Sequence, residues 1–150
     1  MQLSAHFSLE ELTHSDVALR AGVDNTPSPE QVENLRWLAN ALLEPSRDLL
    51  AAALHINSGF RSTWLNRLVF GAPSSAHLDG RAADMKPIGR DLPEAFDLIA
   101  RSPLPFDQCI YECAAWIHLA VPSPGCAPRR EVLRASGTPG HWRYELLSRG

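Results

Sequence analysis

The sequence predicts an α+β fold in which a small antiparallel sheet packs with helices. Helical signals come first along the chain, and strands and helices are mixed later, without the regular alternation of a parallel α/β protein. The length of 150 residues is enough for one domain with its own hydrophobic core. We therefore expect a single domain over residues 1–150.

The first helix is predicted from its start signal. Ser8 and Glu11 have the spacing of a capping box, in which the serine accepts from a backbone amide and the glutamate reaches back. A short helix should follow Ser8 and end at about Thr13. Residues 24–27 then have the composition of a turn.

The main helix begins with a stronger set of signals. Ser28 is the N-cap, Pro29 occupies the first helical position, and Gln31 supplies the reciprocal cap. Pro45 falls inside the helical pattern and should kink the helix or split it. The predicted apolar face consists of Val32, Leu35, Leu38, Leu42 and Leu49.

The later elements are read from periodicity and from turn residues. In chain order we expect a strand over 55–58, a helix over 63–69, a strand over 81–86, a helix over 91–101, and a hairpin of strands over 106–112 and 116–121. Residues 71–75 form a loop and residues 78–80 a turn. The segment 122–140 is rich in proline and glycine and is left unassigned, and residues 144–147 are expected to form a last short element.

Composition excludes several classes of protein. The net charge of −3 and the absence of a basic stripe argue against a nucleic-acid-binding protein. No apolar run reaches the length of a membrane span. The segment 1–11 is polar and lacks the apolar core of a secretory signal, so we expect a protein that is cytoplasmic as synthesised. The three cysteines, Cys109, Cys113 and Cys126, do not have the spacing of a disulfide framework.

The chemistry of the chain is concentrated in the segment 75–84 and in one later histidine. Together, His77, Asp84 and His118 supply two imidazoles and one carboxylate, a ligand set that suits Zn²⁺ and leaves its fourth position open. Because side chains alternate along a strand, His118 should face away from the aliphatic face formed by Ile117 and Leu119. A purely structural zinc is the weaker alternative, because it would need a fourth protein ligand.

These motifs resemble those of a known family. The S-x-H-x-x-G-x-A-x-D pattern that starts at Ser75, followed by W-x-H ending at His118, resembles the zinc D-alanyl-D-alanine carboxypeptidases and L-alanyl-D-glutamate endopeptidases. Residues 58–62 resemble the S-G-[YF]-R-S segment of the same family, and residues 7–11 and 106–108 resemble its phage and prophage branch. The resemblance covers roughly residues 5–135.

The resemblance implies a hedgehog/DD-peptidase-like fold and one Zn²⁺ per chain, bound by His77, Asp84 and His118. It also implies that Arg61 holds a substrate carboxylate or carbonyl, for which a planar guanidinium is suited. The alternative for Arg61 is a surface arginine at the end of a strand. Ser75 either binds substrate or orders the loop before His77.

The general base is where the chain departs from several related enzymes. Those enzymes have an acid three residues before the second histidine, and here that position is Ala115. Glu112 is the nearest acid and could turn toward the metal from the end of its strand. The resemblance to the phage branch, which usually has an acid at that position, makes Glu112 the choice for the base. The alternative is a solvated glutamate at the end of a hairpin, in which case Asp79 or Glu131 would be the next candidates.

The predicted function is therefore hydrolysis of peptidoglycan stem peptides by a zinc metallopeptidase of phage or prophage origin. It would be a monomer that reaches the cell wall at lysis. The alternative is a non-catalytic zinc-binding module of the same fold, in a phage structure or on the cell wall, which the missing acid at Ala115 motivates. The sequence does not distinguish carboxypeptidase from endopeptidase activity.

Overall fold

Six α-helices and six β-strands make up the structure, a computed structural model that describes residues 1–150. The helices are α1 (Leu9–Thr13), α2 (Asp16–Ala21), α3 (Pro29–Leu38), α4 (Glu44–Leu50), α5 (Thr63–Leu68) and α6 (Leu92–Arg101). A π-helical segment, Ala39–Leu43, joins α3 to α4, and a 3₁₀ turn, Ala76–Asp79, precedes the second strand. The strands are β1 (Leu54–Ser58), β2 (Ala82–Pro87), β3 (Gln108–Glu112), β4 (Trp116–Ala120), β5 (Glu131–Thr138) and β6 (His141–Arg149).

All six strands form one sheet in the order β1-β2-β4-β3-β5-β6. Neighbouring strands are antiparallel except β3 and β5, which are parallel. The parallel pair arises because the connection after β4 returns the chain to the end of the sheet at which β3 begins. The predicted α+β class is confirmed, with a sheet that is mostly rather than entirely antiparallel.

One face of the sheet packs against the helices and forms the core. The alternation of side chains places Ala83 and Met85 of β2, with Ile117 and Leu119 of β4, on this face, and all four are fully buried. Helix α6 contacts β2, β3 and β4 from this side. The opposite face of the same strands carries the polar residues, as the alternation predicted.

The break in the main helix occurs at the turn before Pro45. A proline has no amide hydrogen to donate to the carbonyl four residues earlier, and its ring would clash with that carbonyl in a regular α-helix. The chain widens instead into the π-helical segment, in which the Glu44 amide donates to the Ala39 carbonyl. The wider turn shifts the helical phase by about one residue. Leu50 is therefore buried and Leu49 is 40% exposed, so the expected core position of Leu49 was wrong.

Helix α2 was not predicted from the sequence; the remaining predicted elements agree with the structure to within one or two residues, except after residue 121. There the segment left unassigned contains β5, and the short element expected over 144–147 is part of the longer β6. Most side chains of β6 are exposed, so its hydrophobic pattern is weak. All three cysteines are free, as expected. None of the helices is both long and apolar enough to cross a membrane.

Candidate metal centre

The floor of the candidate site is formed by two directly paired residues on adjacent strands. Asp84 of β2 lies opposite His118 of β4, and His118 Nδ1 is 3.0 Å from Asp84 Oδ1. Both side chains are buried, on the sheet face opposite the core. The neighbouring small residues, Ala82 and Ala120, are paired in the same way. The strand register therefore places an imidazole and a carboxylate side by side.

His77 reaches the same point from the 3₁₀ turn. The turn is capped by Ser75, whose Oγ accepts a hydrogen bond from the His77 amide at 3.2 Å. It ends at Gly80, whose positive φ of 74° and close approach to the Gln31 carbonyl favour glycine. The hydrogen bond from the His77 amide to Ser75 Oγ supports the loop-ordering alternative for Ser75. The Ser75 side chain also lines the cleft above the site.

The orientation of the His77 ring is fixed by a backbone carbonyl. Nδ1 of His77 lies 2.7 Å from the Gly59 oxygen, so it carries the hydrogen and donates it. Nε2 is then an acceptor with its lone pair toward Asp84 Oδ1, at 3.2 Å. A carbonyl that fixes the tautomer in this way is the usual companion of a metal-binding histidine.

The ligand atoms of His77, Asp84 and His118 all lie within 4.8 Å of one another, and all three side chains are buried. Two nitrogens and one carboxylate oxygen match the preference of Zn²⁺, and a set of three would leave one position open. The donor chemistry and the fixed His77 tautomer thus fit a catalytic zinc site. The cluster predicted from sequence is assembled, while metal binding itself remains a prediction.

The ionisation of Asp84 and of His77 agrees with this fit, whereas His118 would have to give up a proton to bind a metal. Burial alone would raise the pKa of Asp84, but the two histidines outweigh it and hold the pKa far below its usual range. Burial lowers the pKa of His77, which favours the neutral ring that a metal requires. Burial would also lower the pKa of His118, but the hydrogen bond to Asp84 raises it overall.

Glu112 lies beside the cluster. Its Oε1 is 3.8 Å from His118 Nδ1, and its Oε2 accepts a hydrogen bond from Trp116 Nε1 at 2.9 Å. Burial raises the pKa of Glu112, and the negative charge of Asp84 raises it further. Ala115 lies in the turn between β3 and β4. The structure therefore brings Glu112 to the cluster, as the hairpin geometry predicted.

The two other candidate bases lie elsewhere. Asp79 pairs with Arg81, and Glu131 lies near Arg129 and Arg149. Neither acid lines the cleft that leads to the cluster. Of the three candidate bases, Glu112 is therefore the one that lies beside the cluster.

Arg61 also belongs to the site, but most of its guanidinium is already engaged. Nε donates to Ser58 Oγ at 3.1 Å, Nη1 donates to Asn66 Oδ1 at 3.3 Å, and Nη2 donates to Asp84 Oδ2 at 3.3 Å. The side chain is 14% exposed. Asn66, which is buried, is held in turn by the carbonyl of Ala72. Arg61 thus orients the carboxylate of Asp84 and keeps two further N–H groups at the edge of the cleft.

A cleft of about 1250 Å³ opens above the cluster. Its walls come from α2, from α5 and the loop that follows it, and from the hairpin of β5 and β6. Two of its aromatic residues, Trp142 and Tyr144, were not placed by the sequence, because their strand gives only a weak hydrophobic pattern. Gly59 was part of the motif, but only the fold shows that its carbonyl orients His77.

The connection from β4 to β5 is anchored at the other end of the cleft. The Asp107 carboxylate accepts a hydrogen bond from the Arg129 backbone amide at 3.0 Å and further hydrogen bonds from the Arg129 guanidinium, the shortest at 2.7 Å. Burial alone would raise the pKa of Asp107, but the hydrogen bonds of Arg129 outweigh it and hold the pKa below its ordinary value. This ion pair fixes where β5 begins beside β3.

Comparison with known proteins identifies the family. A family model described as Peptidase M15 matches residues 5–120, a span that contains His77, Asp84, Glu112 and His118. The hairpin of β5 and β6 lies beyond the matched residues. No curated protein matches the chain. Because the family match covers well over half of the chain, the protein belongs to the Peptidase M15 family of zinc peptidases.

Proposed function

We propose that the protein is a zinc metallopeptidase that hydrolyses peptidoglycan stem peptides, of the D-Ala-D-Ala carboxypeptidase or L-Ala-D-Glu endopeptidase type. The observation that carries the proposal is the buried set of His77, Asp84 and His118 at the floor of the cleft, with Glu112 beside it. These three residues would hold one Zn²⁺ per chain. When bound, the ion would polarise the scissile carbonyl and lower the pKa of a water molecule.

Glu112 is the proposed general base. It takes a proton from the attacking water and delivers it to the leaving amine. Its raised pKa suits this role, because it makes the carboxylate a stronger base toward the water and keeps the carboxyl group protonated until the leaving amine takes the proton. The Trp116 indole donates to Oε2, which leaves Oε1 directed toward the cluster.

Arg61 and Ser75 are the proposed substrate contacts. The two guanidinium N–H groups of Arg61 that the protein does not engage can hold a substrate carbonyl or carboxylate. Ser75 lines the cleft directly before His77, and its hydroxyl hydrogen is free while its oxygen accepts from the His77 amide. Both side chains would align the peptide with Glu112 and thereby reduce the entropic cost of reaction.

The cleft supports a peptide substrate. Its volume of about 1250 Å³ exceeds the roughly 300–1,000 Å³ typical of small-molecule sites. Charges of both signs line it and can pair with the charged groups of a peptide: the arginines are Arg20, Arg61, Arg81 and Arg129, and the acids are Asp16, Asp84, Asp107 and Glu112. We further propose that residues 1–150 act as one domain in a monomeric enzyme of a phage or prophage, which reaches the wall at lysis.

The test is cleavage of defined muropeptides by the purified chain, followed by mass spectrometry of the products. Zinc-loaded protein should cleave the stem peptide, chelated protein should be inactive, and added Zn²⁺ should restore cleavage. Loss of the terminal D-alanine would assign a carboxypeptidase, whereas release of the whole stem beyond L-alanine would assign an endopeptidase. If zinc-loaded protein binds the muropeptide but leaves it intact, the non-catalytic module is the correct reading.

A further inference from the structure

The hairpin of β5 and β6 places one tyrosine in line with the proposed base. Glu112 of β3 pairs with Ala135 of β5, and Ala135 pairs with Tyr144 of β6. Directly paired residues project from the same face of a sheet, so Tyr144 lies on the face of Glu112 and the metal cluster. Neighbouring strands are about 4.8 Å apart, which puts the Cα atoms of Tyr144 and Glu112 at roughly 10 Å.

The residue between them leaves the path open. Ala135 has only a methyl group, so it does not separate the tyrosine side chain from Glu112. Glu112, Ala135 and Tyr144 all line the cleft. The Tyr144 phenol therefore borders the space that a peptide bond next to Glu112 would occupy.

The hairpin is held in this position by a second aromatic residue. Trp142 lies two residues before Tyr144, on the same face of β6, and its Nε1 donates to the Phe70 carbonyl at 3.1 Å. Phe70 belongs to the loop that follows α5 and leads to the metal-ligand motif. This hydrogen bond connects the hairpin to the opposite wall of the cleft and therefore holds β6, the strand that contains Tyr144, in place.

The Tyr144 hydroxyl forms no hydrogen bond with the rest of the chain, and the residue is 53% exposed. Burial raises the pKa of the phenol, and the nearby negative charges of Glu112 and Asp84 raise it further. The hydroxyl is thus protonated at neutral pH and free to donate to a ligand in the cleft.

We propose that Tyr144 contacts the substrate, and that its hydroxyl donates a hydrogen bond to a carbonyl oxygen of the stem peptide beside Glu112. The proposal rests on the proposed function for the identity of the peptide. Unlike the ligands and the proposed base, Tyr144 lies outside the part of the chain that matches the family. It would make the C-terminal hairpin part of the substrate site.

The chain offers a matched control for the test. Its other tyrosine, Tyr111, lies on the neighbouring position of β3 and points to the opposite face, where its ring is 5.5 Å from that of Phe96. Tyr144→Phe and Tyr111→Phe remove the same atom from the two sides of one sheet. Zinc content and thermal unfolding of both variants would show whether either change perturbs the fold.

Two measurements decide the proposal. Tyr144→Phe should lower kcat/KM on muropeptide about tenfold and weaken peptide binding, measured in a Glu112→Gln background, by between about threefold and tenfold. Tyr111→Phe should leave both unchanged. Wild-type kinetics and affinity in Tyr144→Phe would overturn the proposal.

A spectroscopic measurement separates this proposal from the proposed function. In full-length, zinc-loaded protein labelled with 3-fluorotyrosine, the Tyr144 resonance should shift with added stem peptide, and the Tyr111 resonance should not. If this shift occurs in a protein that cleaves no muropeptide, the contact of Tyr144 with the peptide is supported and the proposed catalytic function is refuted. If the Tyr144 resonance does not move while the peptide is cleaved, the function stands and the contact is refuted. If the peptide neither binds nor is cleaved, both are refuted.

Discussion

Asp84 and His118 are directly paired across β2 and β4, and Nδ1 of the histidine lies 3.0 Å from Oδ1 of the aspartate. Hydrogen bonds between these central strands hold the pair, so both side chains are presented by a rigid element. His77 joins them from the 3₁₀ turn, and the Gly59 carbonyl sets the orientation of the His77 ring. The site is therefore largely organised before any metal or substrate binds, which reduces the cost of assembling it.

The first prediction concerns metal content. His77→Ala and His118→Ala should each lose most of the bound Zn²⁺, because two remaining protein ligands hold the ion weakly. His14→Ala is the control, since His14 lies at the cleft rim with its side chain 61% exposed and outside the cluster. Mass-spectrometric metal analysis of untagged protein measures the outcome. Wild-type zinc in either cluster variant would refute the ligand assignment.

The second prediction concerns the base. Glu112→Gln keeps an acceptor for the Trp116 indole but cannot take a proton, so turnover should fall by about 10²–10⁴-fold with zinc retained. Asp79→Asn, which changes an acid outside the cleft, should have wild-type turnover. Turnover and zinc content are to be measured on the same preparation. Normal turnover in Glu112→Gln would require another base.

The third prediction concerns Arg61. Lysine keeps the charge but cannot reach Ser58, Asn66 and Asp84 together, because it lacks the planar fork. Arg61→Lys should lower turnover about tenfold or more while zinc stays bound, and Arg36→Lys on the exposed side of α3 should not. Muropeptide kinetics with metal analysis test this. Equal rates for the two variants would mean that Arg61 holds no substrate.

The fourth prediction concerns stability and its dependence on pH. Asp107→Asn removes the charge that holds Arg129 and should cost about 1–3 kcal/mol in the free energy of unfolding at pH 7. The pKa of Asp107 is lowered in the folded state, so its stabilisation is fully present above the unfolded pKa of about 3.9. It is lost as the pH falls through the lower, folded value.

Urea unfolding of the variant and the wild type at neutral and acidic pH measures this difference, which should shrink toward acid. Asp97→Asn, on the exposed face of α6, should unfold like the wild type at both values. A difference for Asp107→Asn that grows toward acid would contradict the proposed role of the ion pair.

The fifth prediction concerns Gly59. A Cβ at this position would lie 2.1 Å from the Leu12 carbonyl oxygen, a backbone atom that cannot move aside easily. Gly59→Ala should therefore destabilise the fold by about 2 kcal/mol or more and weaken zinc binding, because the same residue orients His77. Gly22→Ala, which has open space but a positive φ of 67°, should cost about 1–2 kcal/mol and keep its zinc. Thermal unfolding and metal analysis compare the two.

Local features of the sequence predicted most of the elements. Ser28 caps α3 and Asp91 caps α6 as expected, because each hydrogen bond joins residues only three apart. The two-residue alternation in β2 and β4 correctly separated the core face from the polar face. The position of Leu49 was missed because the π-helical turn before Pro45 changed the phase of the helix, which a regular helical period does not include.

The sequence by itself determined the types of ligand and the strand faces on which Asp84 and His118 lie, because alternation and residue chemistry are local properties. Only the tertiary structure decided the register that sets Asp84 opposite His118 and the carbonyl of Gly59 against His77. It also decided that Tyr144 lies on the same sheet face as Glu112, with Ala135 between them. These relationships join residues far apart in the chain, and they depend on strand pairing and packing, which no local pattern specifies.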